Sequence, residues 1–212
     1  MKKSEKKIFA NNVVERLLQV YPNPVCSLEY KHPYELLIAV RLSAQCTDAR
    51  VNVVTKELFS KYTTLSQIAN ADVKDIENII RPCGLYKTKA ASISALSKKL
   101  IDEFDGKVPD NMEDLLSLPG IGRKSANLIL GDIYGKEAVV TDTHCIRICG
   151  KLGLSKGKEP FSVEMQLREV LPMDKASDFC HAIVLFGREY CTARNPKCDV
   201  CPLGDICQSN KT

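Results

Sequence analysis

Apolar residues recur along this chain at intervals of three and four, the period of one buried helical face, and almost nowhere alternate with period two. Val14, Leu17, Leu18 and Tyr21 form the first such stripe, which Pro22-Asn23-Pro24 ends. A second helix, over 34–44, is predicted to open after Pro33. Thr47 stands where it can cap a helix carrying Val51, Val54 and Leu58, and Asp72 where it can cap one carrying Ile76, Ile79 and Ile80. The longest periodic stretch, 85–104, turns Ile93, Leu96, Leu100 and Ile101 inward until Asp105-Gly106 stops it. Shorter helices follow over 111–118, broken by Pro119, and over 123–134, ended by Gly135. Asp142 is placed to cap another through Cys149, the 161–170 region forms one more, and 176–190 carries Phe179, Ile183, Val184 and Phe186. The Val139-Val140 pair is too short to found a sheet. The pattern predicts an all-α protein without internal repeat or long linker.

Composition agrees and narrows the class. At 212 residues, 44% hydrophobic and 26% charged, the chain can bury a sizeable core in one body or two. Thirty basic residues against 26 acidic ones give a formal charge of +4, a mild bias toward anionic partners. The basic start, Met1-Lys2-Lys3-Ser4-Glu5-Lys6-Lys7, runs into Asn11, Asn12, Glu15 and Arg16 rather than the apolar core of a secretion signal. No apolar run approaches the roughly 18 residues of a membrane span, so a cytoplasmic protein without a membrane partner is expected.

In a reducing compartment, ten cysteines point to metal binding, catalysis or packing rather than disulfides. Cys26, Cys46, Cys83, Cys145, Cys149 and Cys180 are scattered, and packing is the expectation for Cys46 and Cys83. The other four crowd the C-terminal end as Cys191-x6-Cys198-x2-Cys201-x5-Cys207, punctuated by Pro196, Pro202 and Gly204. Four thiolates hold either zinc or an iron–sulfur cluster, and this spacing, with its single C-x2-C pair, leaves both open.

A second chemical signal is Leu118-Pro119-Gly120-Ile121-Gly122-Arg123-Lys124-Ser125, a short helix turning through two glycines into another helix. Glycines there let backbone N–H groups approach an anion, and the free N–H groups of the new helix favour phosphate oxygens. An ordinary αα-hairpin has the same outline. A nucleotide-binding P-loop fits worse, because it needs a preceding strand and four residues between its glycines.

Taken together, these segments resemble the endonuclease III family of base-excision DNA glycosylases. The Leu118–Lys124 run is similar to its helix-hairpin-helix, and Val140-Thr141-Asp142-Thr143-His144 to its catalytic aspartate segment. Leu42-Ser43-Ala44-Gln45-Cys46-Thr47-Asp48, Cys83-Gly84-Leu85-Tyr86-Lys87-Thr88-Lys89-Ala90 and the four-cysteine tail resemble three further family segments, so the likeness spans about 13–207.

The resemblance implies a helix-hairpin-helix glycosylase fold in two lobes. One is a six-helix barrel over 26–134; the other, from 1–25 and 135–212, holds a [4Fe–4S] cluster on Cys191, Cys198, Cys201 and Cys207. Double-stranded DNA with oxidised pyrimidines or abasic sites would lie across the cleft, bound by a monomer. Lys124 is then the nucleophile and Asp142 the carboxylate beside it, while Gln45 fills the space left by a flipped nucleotide and Leu85 wedges against the opposite strand. Leu118, Gly120, Gly122, Arg123, Arg194 and Lys197 are expected along the DNA; His144 carries no assigned role.

Elementary chemistry supports Lys124 only under a condition. A lysine amine attacks only when neutral, and from a pKa of about 10.4 that costs roughly 4.6 kcal/mol at pH 7. The positive end of a helix dipole and partial burial would both favour the neutral form. Asp142 is equally suited to capping a helix, and both roles can coexist. Adenine-removing and thymine-mismatch relatives lack a lysine at this position, and a DNA-binding iron–sulfur protein without catalysis would need neither Lys124 nor Asp142.

Overall fold

The structure, a computed structural model, describes residues 2–210 and contains helices but no strand among them. In chain order the α-helices are α1 (Lys3–Val20), α2 (Pro33–Leu42), α3 (Asp48–Lys61), α4 (Leu65–Asn70), α5 (Val73–Ile80), α6 (Tyr86–Phe104), α7 (Met112–Ser117), α8 (Arg123–Asp132), α9 (Thr143–Leu152), α10 (Pro160–Arg168) and α11 (Ala176–Glu189). They fall into two compact units: Cys26–Tyr134, and Met1–Val25 with Gly135–Thr212.

The Cys26–Tyr134 unit holds α2 to α8, built on the fully buried Leu36, Leu37, Ile38, Leu42, Leu58, Ile68, Ile76 and Ile80. Six helices were expected here and seven are present. The addition is α4, too short for periodicity to reveal, whose start is set by Thr64 accepting from Gln67 N. Asp72 caps α5 as anticipated, accepting from Lys74 N at 2.9 Å. Thr47 precedes α3 with extended backbone, yet its hydroxyl makes no capping bond. Ile101 is 37% exposed rather than inward. One position past Leu100 lies about 100° further round the helix, off the Ile93–Leu100 stripe.

In the other unit α1, α9, α10 and α11 share a core of Val13, Leu17, Ile148, Val163, Leu167, Phe179, Ile183 and Phe186. Two polar ties hold α1 to distant chain. Arg16 reaches Asp205 at 2.6 Å, and the Tyr21 hydroxyl donates to Glu189 Oε2 at 2.7 Å. The α1–Asp205 tie matters locally because Asp205 lies between Cys201 and Cys207.

Candidate active site and metal centre

Pro119 biases Leu118 toward extended backbone, found at φ −75, ψ 134, and this ends α7. The chain then turns: Ile121 N donates to the Leu118 carbonyl at 3.1 Å, and Gly120 takes φ +80. Gly120 also lies against another side chain, since a Cβ there would stand 2.4 Å from Arg41 Nε and 3.2 Å from Ser92 Cβ. Arg41 itself donates to Ser92 Oγ at 3.3 Å, so α2 and α6 brace the turn from behind. A Cβ on Gly122, the residue that opens α8, would meet nothing within 4 Å. The first glycine is thus required by conformation and packing; the second leaves open space beside the first-turn amides of α8.

Two expectations change here. Leu118, expected along the DNA, is only 2% exposed; its amide donates to Leu115 O and its carbonyl accepts from Ile121 N, so its side chain shapes the turn from the core. Lys124, the second residue of α8, is exposed, so the helix start is present but partial burial is not. Arg123 beside it is half-buried. Gly120→Ala should cost about 1–2 kcal/mol from the left-handed backbone alone, with more from displacing Arg41. Thermal melting and duplex affinity check this, and Gly122→Ala should melt close to the parent.

Asp142 is half-buried, with Oδ1 accepting from Cys145 N at 2.7 Å and its carbonyl accepting from Ile146 N at 2.9 Å. It therefore caps α9 and still keeps a carboxylate at the helix start. Behind it, Cys145, Cys149 and Cys180 are buried in mutual contact; Val140 N donates to Cys180 Sγ at 3.2 Å. Thiol–thiol hydrogen bonding and burial push Cys145 and Cys180 well above the ordinary thiol range, which makes them protonated packing groups. His144 seats its ring on Gly187, where a Cβ would be 2.4 Å from Nδ1, and Nδ1 lies 3.2 Å from Arg147 Nη2. Arg147 also donates to the Cys191 carbonyl and comes within 3.5 Å of its Sγ. No sequence pattern singled out Arg147, Arg41 or Lys89, because each acts through contacts remote in the chain.

Cys191, Cys198, Cys201 and Cys207 line one cavity of about 70 Å³, walled on its apolar side by Ile148, Leu152, Phe186 and Leu203. Gly204 turns the loop under them; a Cβ there would be 3.1 Å from the Cys201 carbonyl and 3.2 Å from that of Cys198. Burial, reinforced by the three neighbouring cysteines, raises the Cys201 thiol. Among the described residues no three Cys, His, Asp or Glu side chains converge closely enough for one metal ion. Four thiols around one cavity are the donor set an iron–sulfur group takes.

Gln45 and Leu85 are exposed, Leu85 to 58%, and both have left-handed backbone, φ +56 and +49. Apart from Asp105 they are the only non-glycine residues among those described with positive φ. Such backbone costs roughly 1–2 kcal/mol per residue and persists where the surroundings impose it, often at functional sites. Arg194 and Lys197 are exposed on the loop between Cys191 and Cys198, which is pinned by Lys197 N donating to Tyr190 O at 2.9 Å.

Residues 38–173 match the family model of the HhH-GPD superfamily base excision DNA repair proteins, and 191–207 match the iron-sulfur binding domain of endonuclease III. The hairpin and helical fold thus define a helix-hairpin-helix protein of the base-excision repair class. The chain is 42% identical over 209 residues to endonuclease III of Synechocystis sp., covering 98% of this chain and 95% of that one. It is 36% identical over 196 residues to the Escherichia coli K12 enzyme, covering 92% and 93%. A solved non-covalent endonuclease III–DNA complex superposes with a TM-score of 0.91 at 38% identity, covering 100% of this chain and 97% of that chain. A trapped endonuclease III–DNA covalent intermediate gives the same score and identity, covering 100% and 98%. The chain belongs to the endonuclease III family, and its cofactor is a [4Fe–4S] cluster.

Proposed function

We propose that this chain excises oxidised pyrimidines from duplex DNA and then cleaves the strand on the 3′ side of the abasic site, as the base-excision glycosylase and lyase activity of its family implies. The observation that carries the reading is an exposed lysine at the second position of the helix after a two-glycine hairpin, in a chain 38% identical to one captured as a covalent intermediate with DNA.

Lys124 Nζ, as the neutral amine, attacks C1′ while the C1′–N bond breaks and the base leaves with a proton. Asp142, its carboxylate oriented as the cap of α9, stabilises the positive charge at C1′. The ring opens to an imine between Lys124 and the sugar. Loss of a C2′ proton and departure of the 3′ phosphate nick the strand, and water then frees the amine. Because Lys124 is exposed in the chain alone, exclusion of water around it falls to the bound duplex.

The target nucleotide must first leave the stack, at a cost of a few kcal/mol. Gln45 fills the vacancy and Leu85 presses on the opposite strand. The Gly120–Gly122 turn, Arg123, Arg194 and Lys197 hold phosphates. Cys191, Cys198, Cys201 and Cys207 would hold the cluster through their thiolates, and the iron would cross-link them and so shape the Arg194–Lys197 loop. The lobe over 26–134 carries the helix-hairpin-helix, and the lobe from 1–25 and 135–212 carries the cluster. The chain acts as a cytoplasmic monomer; among the described residues no helix is long and apolar enough to cross a membrane.

The test is borohydride trapping and product analysis on duplexes carrying thymine glycol, dihydrouracil, a uracil mismatch or an abasic site. A covalent adduct on the abasic duplex, with base release from the two oxidised pyrimidines, is expected. Tight binding without an adduct would favour a DNA-binding module. In the same assay series, replacing Arg194 and Lys197 together by alanine should lower duplex affinity uniformly across sequences. The slope of log K against log salt should fall by about two in magnitude, read from binding between low and moderate salt.

A further inference from the structure

Lys89, the fourth residue of α6, has 0% exposure, a rare position for a lysine side chain. Its Nζ donates to the Leu42 carbonyl at 2.8 Å and to the Cys83 carbonyl at 2.8 Å. The two acceptors belong to separate loops. Leu42 ends α2, and the turn after it, closed by Cys46 N donating to Ser43 O at 3.0 Å, carries Gln45. Cys83 ends the short 3-10 turn Arg81–Cys83, after which Gly84 at φ +66 leads into Leu85.

The end of a helix leaves carbonyls without an intrahelical partner, and a buried one needs a donor from elsewhere. One amine serves a carbonyl from each loop, so separating the loops would break at least one buried hydrogen bond. A further tie acts in the same sense: Arg50 Nη1, from the first turn of α3 that follows the Gln45 turn, donates to Pro82 O at 3.4 Å. Burial pulls Lys89 below the ordinary lysine range, opposed by the Cys83 and Cys46 thiols, and the amine keeps N–H groups for both carbonyls in either protonation state.

We propose that Lys89 is a positioning residue that locks the Gln45 and Leu85 loops at one separation, so that both side chains, each on left-handed backbone, enter a single disrupted base pair together. This rests on the reading of Gln45 and Leu85 as the residues that occupy and flank the vacated space. Lys89 is buried beneath both loops, so its effect on DNA is exerted through them.

The experiment compares strand cleavage at an abasic site in duplex and in single-stranded DNA, since only the duplex has a stack to disrupt. Lys89→Met is expected to slow duplex cleavage at least tenfold and single-strand cleavage less than twofold. It should also reduce the fluorescence rise of 2-aminopurine placed opposite the site. Lys89→Gln, which keeps a donor for one carbonyl, should fall between. Equal losses on both substrates would reveal a general folding defect and overturn the proposal.

Gln45→Ala and Leu85→Ala separate the two levels of inference. If they lose duplex cleavage selectively and Lys89→Met does not, the locking role fails while the gap-filling reading stands. If neither alanine variant shows selectivity, the gap-filling reading itself fails. Should the Lys89 variants not fold, amide hydrogen exchange on the unaltered protein decides: residues 43–47 and 83–86 should open with a common rate, and independent opening would overturn the lock.

Discussion

Lys124→Ala is expected to abolish the borohydride-trapped adduct and to slow strand cleavage at an abasic site by about 10⁴-fold or more, roughly 5.5 kcal/mol of transition-state stabilisation. The loss would be chemical rather than structural. Lys124 is exposed, and alanine propagates a helix at least as well as lysine. Removing a cation from the second position of α8 also relieves an unfavourable interaction with the helix dipole. Melting of the variant should therefore match or slightly exceed that of the parent, while duplex affinity falls by no more than one phosphate contact's worth. Single-turnover cleavage, adduct yield and a melting curve on one preparation decide the matter. Slow base release without nicking would fit a water molecule replacing the amine, whereas an adduct that persists would assign the nucleophile to another residue.

Asp142 needs two substitutions, because one carboxylate has two jobs. Asparagine retains an oxygen able to accept from Cys145 N and ranks with aspartate as a cap, so Asp142→Asn should melt within a few degrees of the parent. Its base-release rate on a thymine glycol duplex should nevertheless drop by about 10²–10³-fold, the usual size of losing one preorganised electrostatic partner. Asp142→Ala should show the same kinetic loss and in addition about 1 kcal/mol of destabilisation from the vacant cap, or about 2–4 °C. A full rate in the asparagine variant would mean that the charge is dispensable and that Asp142 only orders α9.

Most helices were legible because their signals are local. The Ile76–Ile79–Ile80 stripe, the Asp72 and Asp142 caps and the breaks at Pro119 and Asp105-Gly106 all operate within a turn or two of chain. The failures have the same origin. Six residues of α4 span too few turns to show a period, and Ile101 differs from Leu100 only by which neighbour lies opposite, which periodicity places to within about one residue. Thr47 had the right chemistry for a cap, but the hydroxyl makes no such bond.

For the site, residue types and spacing named the groups but not their surroundings. The order Gly120-Ile121-Gly122-Arg123-Lys124, the Asp142 segment and the four-cysteine tail could be read directly, because a turn, a cap and a metal loop each depend on short-range order. Which side chains were exposed required the assembled core: Leu118 proved to belong to it, and Lys124 and Leu85 did not. Zinc and an iron–sulfur cluster became distinguishable only through the match of 191–207 to the iron-sulfur binding domain of endonuclease III. Arg41 under Gly120, Arg147 beside Cys191 and Lys89 between two loops join residues far apart in the chain. Such contacts depend on where packed helices bring distant carbonyls and sulfurs, so no window of sequence contains them.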